Sequence, residues 1–145
     1  HSEVAALDPK QMTTIGMAFA KSYFEPAAAD LHIARLVDFY SFHYYDNDPY
    51  DSGRYAAHWY YGAGFPHDLA RAIDELAALP DDKPIVITEI GFPTGEQALR
   101  GATELRRDLR LALQTSRERG ASGIMLWPFQ RDSAGVAGDL FRGRQ

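Results

Sequence analysis

A chain of 145 residues with 46% hydrophobic content and a formal net charge of -5 suits one globular domain spanning residues 1–145, and no shift of composition suggests a second. The 15 basic residues are scattered rather than laid in a stripe, which argues against nucleic-acid binding, and no apolar run approaches the ~20 residues that cross a bilayer. The absence of cysteine excludes disulfides, thiolate zinc sites and a cysteine nucleophile, and leaves the compartment open.

The opening His1-Ser2-Glu3-Val4 has neither the charged nor the apolar region of a signal peptide. An end without Met is expected to be processed or engineered, and the protein is expected to be soluble, its location undetermined. Four short apolar runs then predict strands over about Met12–Phe19, Val37–Tyr44, Ile85–Ile90 and Gly123–Pro128. Between them Pro26–Leu36 reads as a short helix. Pro66–Leu79 reads as a better one, with Pro at its first turn, Leu69, Ile73 and Leu76 on one face, and Pro80 as a stop. In the third helix Thr94 and Gln97 make a capping box. Ala98, Ala102, Leu105, Leu109, Ala112 and Ser116 trace its apolar stripe, and Gly120 closes it. Arg100, Arg106, Arg107 and Arg110 fall on its solvated face. Strands joined through helices run parallel, so the class is α/β. Asp46–Phe65 is a long connection without periodicity, leaving the C-terminal end of the second strand, where active-site loops of such folds lie.

Glu89 ends the β-branched run Pro84-Ile-Val-Ile-Thr-Glu-Ile-Gly91. Placing a polar group in such a strand costs about 1–3 kcal/mol even when partly compensated, which an active-site floor at a strand end explains. With side chains alternating along a strand, Phe39, Ser41, His43 and Tyr45 share one face, Ile85, Ile87, Glu89 and Gly91 another, and Met125, Trp127 and Phe129 a third. His43, Tyr45, Glu89 and Trp127 are then expected at one rim. A carboxylate, an imidazole, a phenol and an indole around one cleft suit a sugar, with the indole stacking on the ring and the polar groups binding hydroxyls. The plainer alternatives are a Glu paired with a buried Arg, a satisfied core His, a packing Tyr and an aromatic plug. Asp46, Asp48 and Asp51 lack the glycine and closing Glu of a calcium loop, and the five His have no zinc-ligand spacing, so no catalytic metal is expected. Glu25 is a conceivable but unfavoured acid.

Asp38-Phe-Tyr-Ser-Phe-His-Tyr-Tyr45, Pro84–Gly91 and Gly123-Ile-Met-Leu-Trp-Pro-Phe129 resemble strands six, seven and eight of clan A glycoside hydrolases, the cellulase and β-glycosidase type of (β/α)8 barrel. Thr13-Thr-Ile-Gly-Met-Ala18 is more weakly similar to strand five. The order and spacing, 46 residues from His43 to Glu89 and 38 from Glu89 to Trp127, carry more of the resemblance than any one motif. It implies that Glu89 is the nucleophile of a retaining hydrolase, with His43 and Tyr45 beside it and Trp127 flooring the sugar subsite. No cofactor is implied. A cis Trp127-Pro128 bond is also expected, because an X-Pro bond costs only about 0.5–1 kcal/mol in cis.

A whole barrel has eight strands, and the resemblance covers four, a TIM half-barrel. The other half carries the general acid/base, and retaining hydrolysis needs two carboxyl groups about 5–5.5 Å apart. A half-barrel also leaves two strand edges and an inner face uncovered. The expected partners are therefore a complementary N-terminal half or a second copy closing a two-fold homodimeric barrel. In that dimer Trp127 would stand where the acid/base belongs, and the two Glu89 would face each other. The leading expectation is a β-glycoside hydrolase or half of one. The competing one is a silent, self-associating half-barrel that at most binds carbohydrate, and a third is another barrel enzyme using Glu89 as a base.

Overall fold

A computed structural model describes residues 2–24, 32–45, 61–92 and 101–127. Three strands, β1 (Tyr40–Tyr45), β2 (Ile85–Gly91) and β3 (Gly123–Leu126), form one parallel sheet in the order β1-β2-β3. Helices α1 (Ser2–Leu7), α2 (His67–Ala77) and α3 (Ala102–Glu118) and two 3-10 turns, Ala20–Tyr23 and Ile33–Leu36, complete the described elements. The class is α/β, as expected from the alternation of strands with helices.

The core lies on one side of the sheet. Tyr40, Phe42 and Tyr44 of β1 and Ile85, Ile87 and Ile90 of β2 are buried with Leu69, Ala72, Ile73 and Leu76 of α2 and with Leu109 and Ala112 of α3. Each large side chain so buried contributes on the order of 1.5–3 kcal/mol. In α2 the spacing of Leu69, Ile73 and Leu76 turns all three toward the sheet. Gly120 ends α3 at φ 83°, the left-handed position that glycine adopts without a Cβ penalty, while Ala121 N–H donates to Ser116 O at 2.9 Å. Gly101 stands as the N-cap of α3; the Thr94–Gln97 box, Ala98 and Arg100 lie outside the described residues. Arg107 and Arg110 are exposed, but Arg106 is half-buried, so the arginines do not all share a solvated face. Ile33–Leu36 is a 3-10 turn where the end of a short helix was expected, and α1 had no counterpart among the expected elements.

Met12–Phe19 does not form the fourth strand. It runs beside β1 with one bridge, Met17 to Phe42, and His43 N–H donates to Met17 O at 3.0 Å. Side chains take the ladder groups further back. Tyr23 Oη accepts from Ser41 N–H and donates to Ser41 O, both at 3.1 Å. Ser41 Oγ donates to Ile15 O at 2.7 Å, and Thr14 Oγ1 donates to Phe39 O at 2.7 Å. Buried strand-edge groups must be paired, and here hydroxyls pair them in place of a strand.

Over the paired stretch β2 carries one residue more than each neighbour. The pairing with β1 passes from Phe42–Ile87 to His43–Glu89, and that with β3 from Ile87–Ile124 to Ile90–Leu126. Thr88 is the extra residue against β1, and its hydroxyl donates to Phe42 O at 3.3 Å. A one-residue slip reverses the side of everything beyond it. Ile85 and Ile87 therefore face the helices, but Glu89 does not join them. It lies with Ser41, His43, Tyr45 and Val86 on the opposite face, which corrects the expectation from unbroken alternation.

Candidate active site

The bulge assembles the site. His43 pairs with Glu89 and Tyr45 with Gly91, and paired residues of neighbouring parallel strands project to the same side. The Tyr45 phenol donates to Glu89 Oε2. His43 Nδ1 stands 3.4 Å from the same oxygen, with the His43 side chain 26% and the Glu89 side chain 30% exposed. Two groups on one carboxylate oxygen fix the rotation of the carboxyl plane, and the partial exposure keeps it reachable from solvent.

On the other flank Trp127 follows β3, and its N–H donates to Ile90 O at 2.8 Å. The alternation from Gly123, which pairs with Val86, sets Met125 and Trp127 on the face of Glu89. Both are 56% exposed. All four residues singled out from the sequence thus come from neighbouring parallel segments to one side of the sheet, at or beside the C-terminal ends of their strands. Trp127 is an exposed aromatic rather than a plug in the packed core. Pro128, Phe129, Glu25, Asp46, Asp48 and Asp51 lie outside the described residues, and with them the Trp127-Pro128 bond. The cis bond among the described residues is Phe65-Pro66.

Sequence reasoning did not single out Gly91 as part of the site. A Cβ there would stand 2.6 Å from Trp127 O and 2.7 and 2.9 Å from Cε1 and Cδ1 of Tyr45. The signal was present in the motif, since a glycine inside a strand marks a bulge or a close approach of backbone.

The end of the long connection is anchored close to this rim. Phe65 packs against Tyr44 and Phe92, with ring centroids 6.2 and 4.9 Å apart. The Asp68 carboxylate, 2% exposed, accepts the N–H groups of Tyr61, Gly62 and Ala63 at 3.2, 3.1 and 3.0 Å. Gly62 and Gly64, at φ 78° and 77°, give the turn the left-handed residues it requires. Tyr61 donates to Glu75 Oε2 at 2.6 Å, and Lys21 Nζ and Arg71 Cζ lie 4.8 and 4.2 Å from its ring centroid. Burial pushes the Tyr61 phenol well above its usual range, reinforced by the hydrogen bond it donates to Glu75 and by that group's charge.

Among the described residues no three His, Cys, Asp or Glu side chains gather closely enough to hold a metal ion, and no helix is long and apolar enough to cross a membrane. Comparison with protein families, with curated proteins and with solved structures finds no match to the chain.

Proposed function

We propose that the chain is the C-terminal half of a retaining β-glycoside hydrolase of the clan A barrel type, with β1 to β3 as strands six to eight, Met12–Phe19 in the place of strand five, and Glu89 as its nucleophile. The observation that carries this reading is the convergence of Tyr45 and His43 on Glu89 Oε2 at the C-terminal end of a parallel strand. The topology supports it as well. Among the described residues the strands run in sequential order with the core-forming helices α2 and α3 on one face, as in a sector of a singly wound barrel, whereas doubly wound sheets carry helices on both faces.

In this reading a Glu89 oxygen bonds to the anomeric carbon as the bond to the leaving oxygen breaks, and water later cleaves the glycosyl ester. Tyr45 and His43 hold the carboxylate and its charge in place. Trp127 offers its exposed indole to the apolar face of a sugar ring. No cofactor enters this chemistry. The proton for the leaving oxygen comes from a complementary N-terminal half; a second copy of the chain would set Trp127 in the place of that acid and supply none.

A dinitrophenyl 2-deoxy-2-fluoro-β-glycoside tests the nucleophile alone, because its leaving group departs without protonation. Mass spectrometry of the folded protein, its assembly state fixed by gel filtration, is expected to find the sugar on the Glu89 peptide and to find none in Glu89→Gln. No adduct, together with no hydrolysis of aryl glycosides, overturns the hydrolase reading in favour of a silent half-barrel.

A further inference from the structure

Gly91 follows Glu89 by two residues and makes no hydrogen bond to it, yet its surroundings control the group that does. Its Cβ position is filled from two directions. Tyr45 Cε1 and Cδ1 stand 2.7 and 2.9 Å from that position, and Trp127 O stands at 2.6 Å. Tyr45 is the register partner of Gly91; its ring therefore leans across β2 instead of standing upright beside a neighbouring side chain. Only in this leaning pose does a phenol rooted two residues beyond His43 reach back to Glu89 Oε2, which belongs to the register pair before its own. The Trp127 carbonyl is pressed against the same spot, so the backbone that carries the indole is set by the same missing methyl.

We propose that Gly91 is a positioning residue, a seat that holds the Tyr45 ring and the Trp127 backbone against β2 and thereby fixes the two groups flanking Glu89. An alanine there cannot be accommodated by the ring alone, since one of the three contacts is main chain. The ring is expelled, the Tyr45–Glu89 hydrogen bond opens, and Trp127 shifts outward. The geometric part of this inference is independent of the chemistry. Its catalytic consequence rests on the hydrolase reading.

The test reads geometry and turnover separately. In wild-type protein one Gly91 Hα points at Cε1 and Cδ1 of the Tyr45 ring, so the ring current is expected to displace its NMR signal from the glycine range. It is expected to stay displaced in Tyr45→Phe and to return in Tyr45→Leu. An unshifted Gly91 proton in wild-type protein overturns the proposal and leaves the hydrolase reading standing. In Gly91→Ala the downfield hydroxyl proton of Tyr45, absent from Tyr45→Phe, is expected to be lost; its survival also overturns the proposal. Where glycosidase turnover is present, Gly91→Ala and Tyr45→Phe are each expected to lower kcat about tenfold more than they change KM. The double variant is expected to be less than twofold worse than Gly91→Ala. Full multiplication of the two losses shows that the glycine does not act through Tyr45.

Discussion

His43 stands opposite Glu89 because Thr88 has no register partner on β1: the pairing steps over it, and the Thr88 hydroxyl donates to Phe42 O. Without that step the carboxylate would point into the isoleucines and α2. Deleting Thr88 removes the residue that is stepped over, so Glu89 is expected to follow Ile87 in regular alternation, to keep His43 opposite it and to stay on the face of Ser41 and Val86, at a cost of about 0.5–1.5 kcal/mol for the lost Thr88 hydrogen bond. Denaturant unfolding followed by circular dichroism checks this; a loss well beyond that range would show that Glu89 had turned toward the core.

The Tyr45–Glu89 contact pairs a neutral donor with a carboxylate in a half-exposed place. Solvent competes there, so a coupling of about 1 kcal/mol is expected between Tyr45→Phe and Glu89→Gln in a double-mutant cycle. Unfolding free energies of the two single variants and the double variant measure it, and a coupling indistinguishable from zero would mean that the bond does not hold the site together.

Asp68 satisfies three backbone N–H groups while itself buried. Asp68→Ala is expected to destabilise the protein by roughly 1–3 kcal/mol, the range for buried donors left unpaired. Hydrogen exchange is expected to quicken at Tyr61, Gly62 and Ala63 before it does in β2. Uniform acceleration across the sheet would instead place the effect in the core.

Tyr61 supplies a pH dependence. Its pKa is raised from the ordinary 10.0, first by burial and then by Glu75, so above pH 10 the unfolded chain releases a proton that the folded one keeps. The unfolded state then binds fewer protons, and stability falls as pH rises through that range. The stabilisation is whole below pH 10 and lost above it. Melting temperatures between pH 8 and 11 are expected to drop less steeply in Tyr61→Phe than in the parent.

Much of this was legible in the sequence. The helical spacing of Leu69, Ile73 and Leu76 and the β-branched run before Glu89 report burial directly, because each side chain's neighbours are set by local periodicity. What periodicity cannot report is a change of phase. Unbroken alternation groups Glu89 with Ile85 and Ile87, since nothing in Ile-Thr-Glu-Ile announces that one residue will be skipped; the partner strands decide that. Met12–Phe19 failed for a related reason. Its apolar pattern suits a strand, but the ladder groups of Ser41 are taken by a phenol from a turn, and no local pattern reveals a competitor arriving from elsewhere in the chain. His43, Tyr45 and Trp127 stand out in the sequence because aromatic and titratable residues at strand ends are conspicuous, whereas Gly91 is distinguished by what it lacks.

The phenol of Tyr23 has a wider meaning for assembly. By holding both main-chain groups of Ser41 it acts as a latch on the outer border of β1, so a second polypeptide cannot zip onto that border without first unseating an internal side chain. Under the half-barrel proposal, a completing half approaches along the segment outside the latch or along the far side of β3. A parallel strand edge, ordinarily an invitation to aggregate when bare, is here closed by Met12–Phe19 and by the Tyr23 phenol.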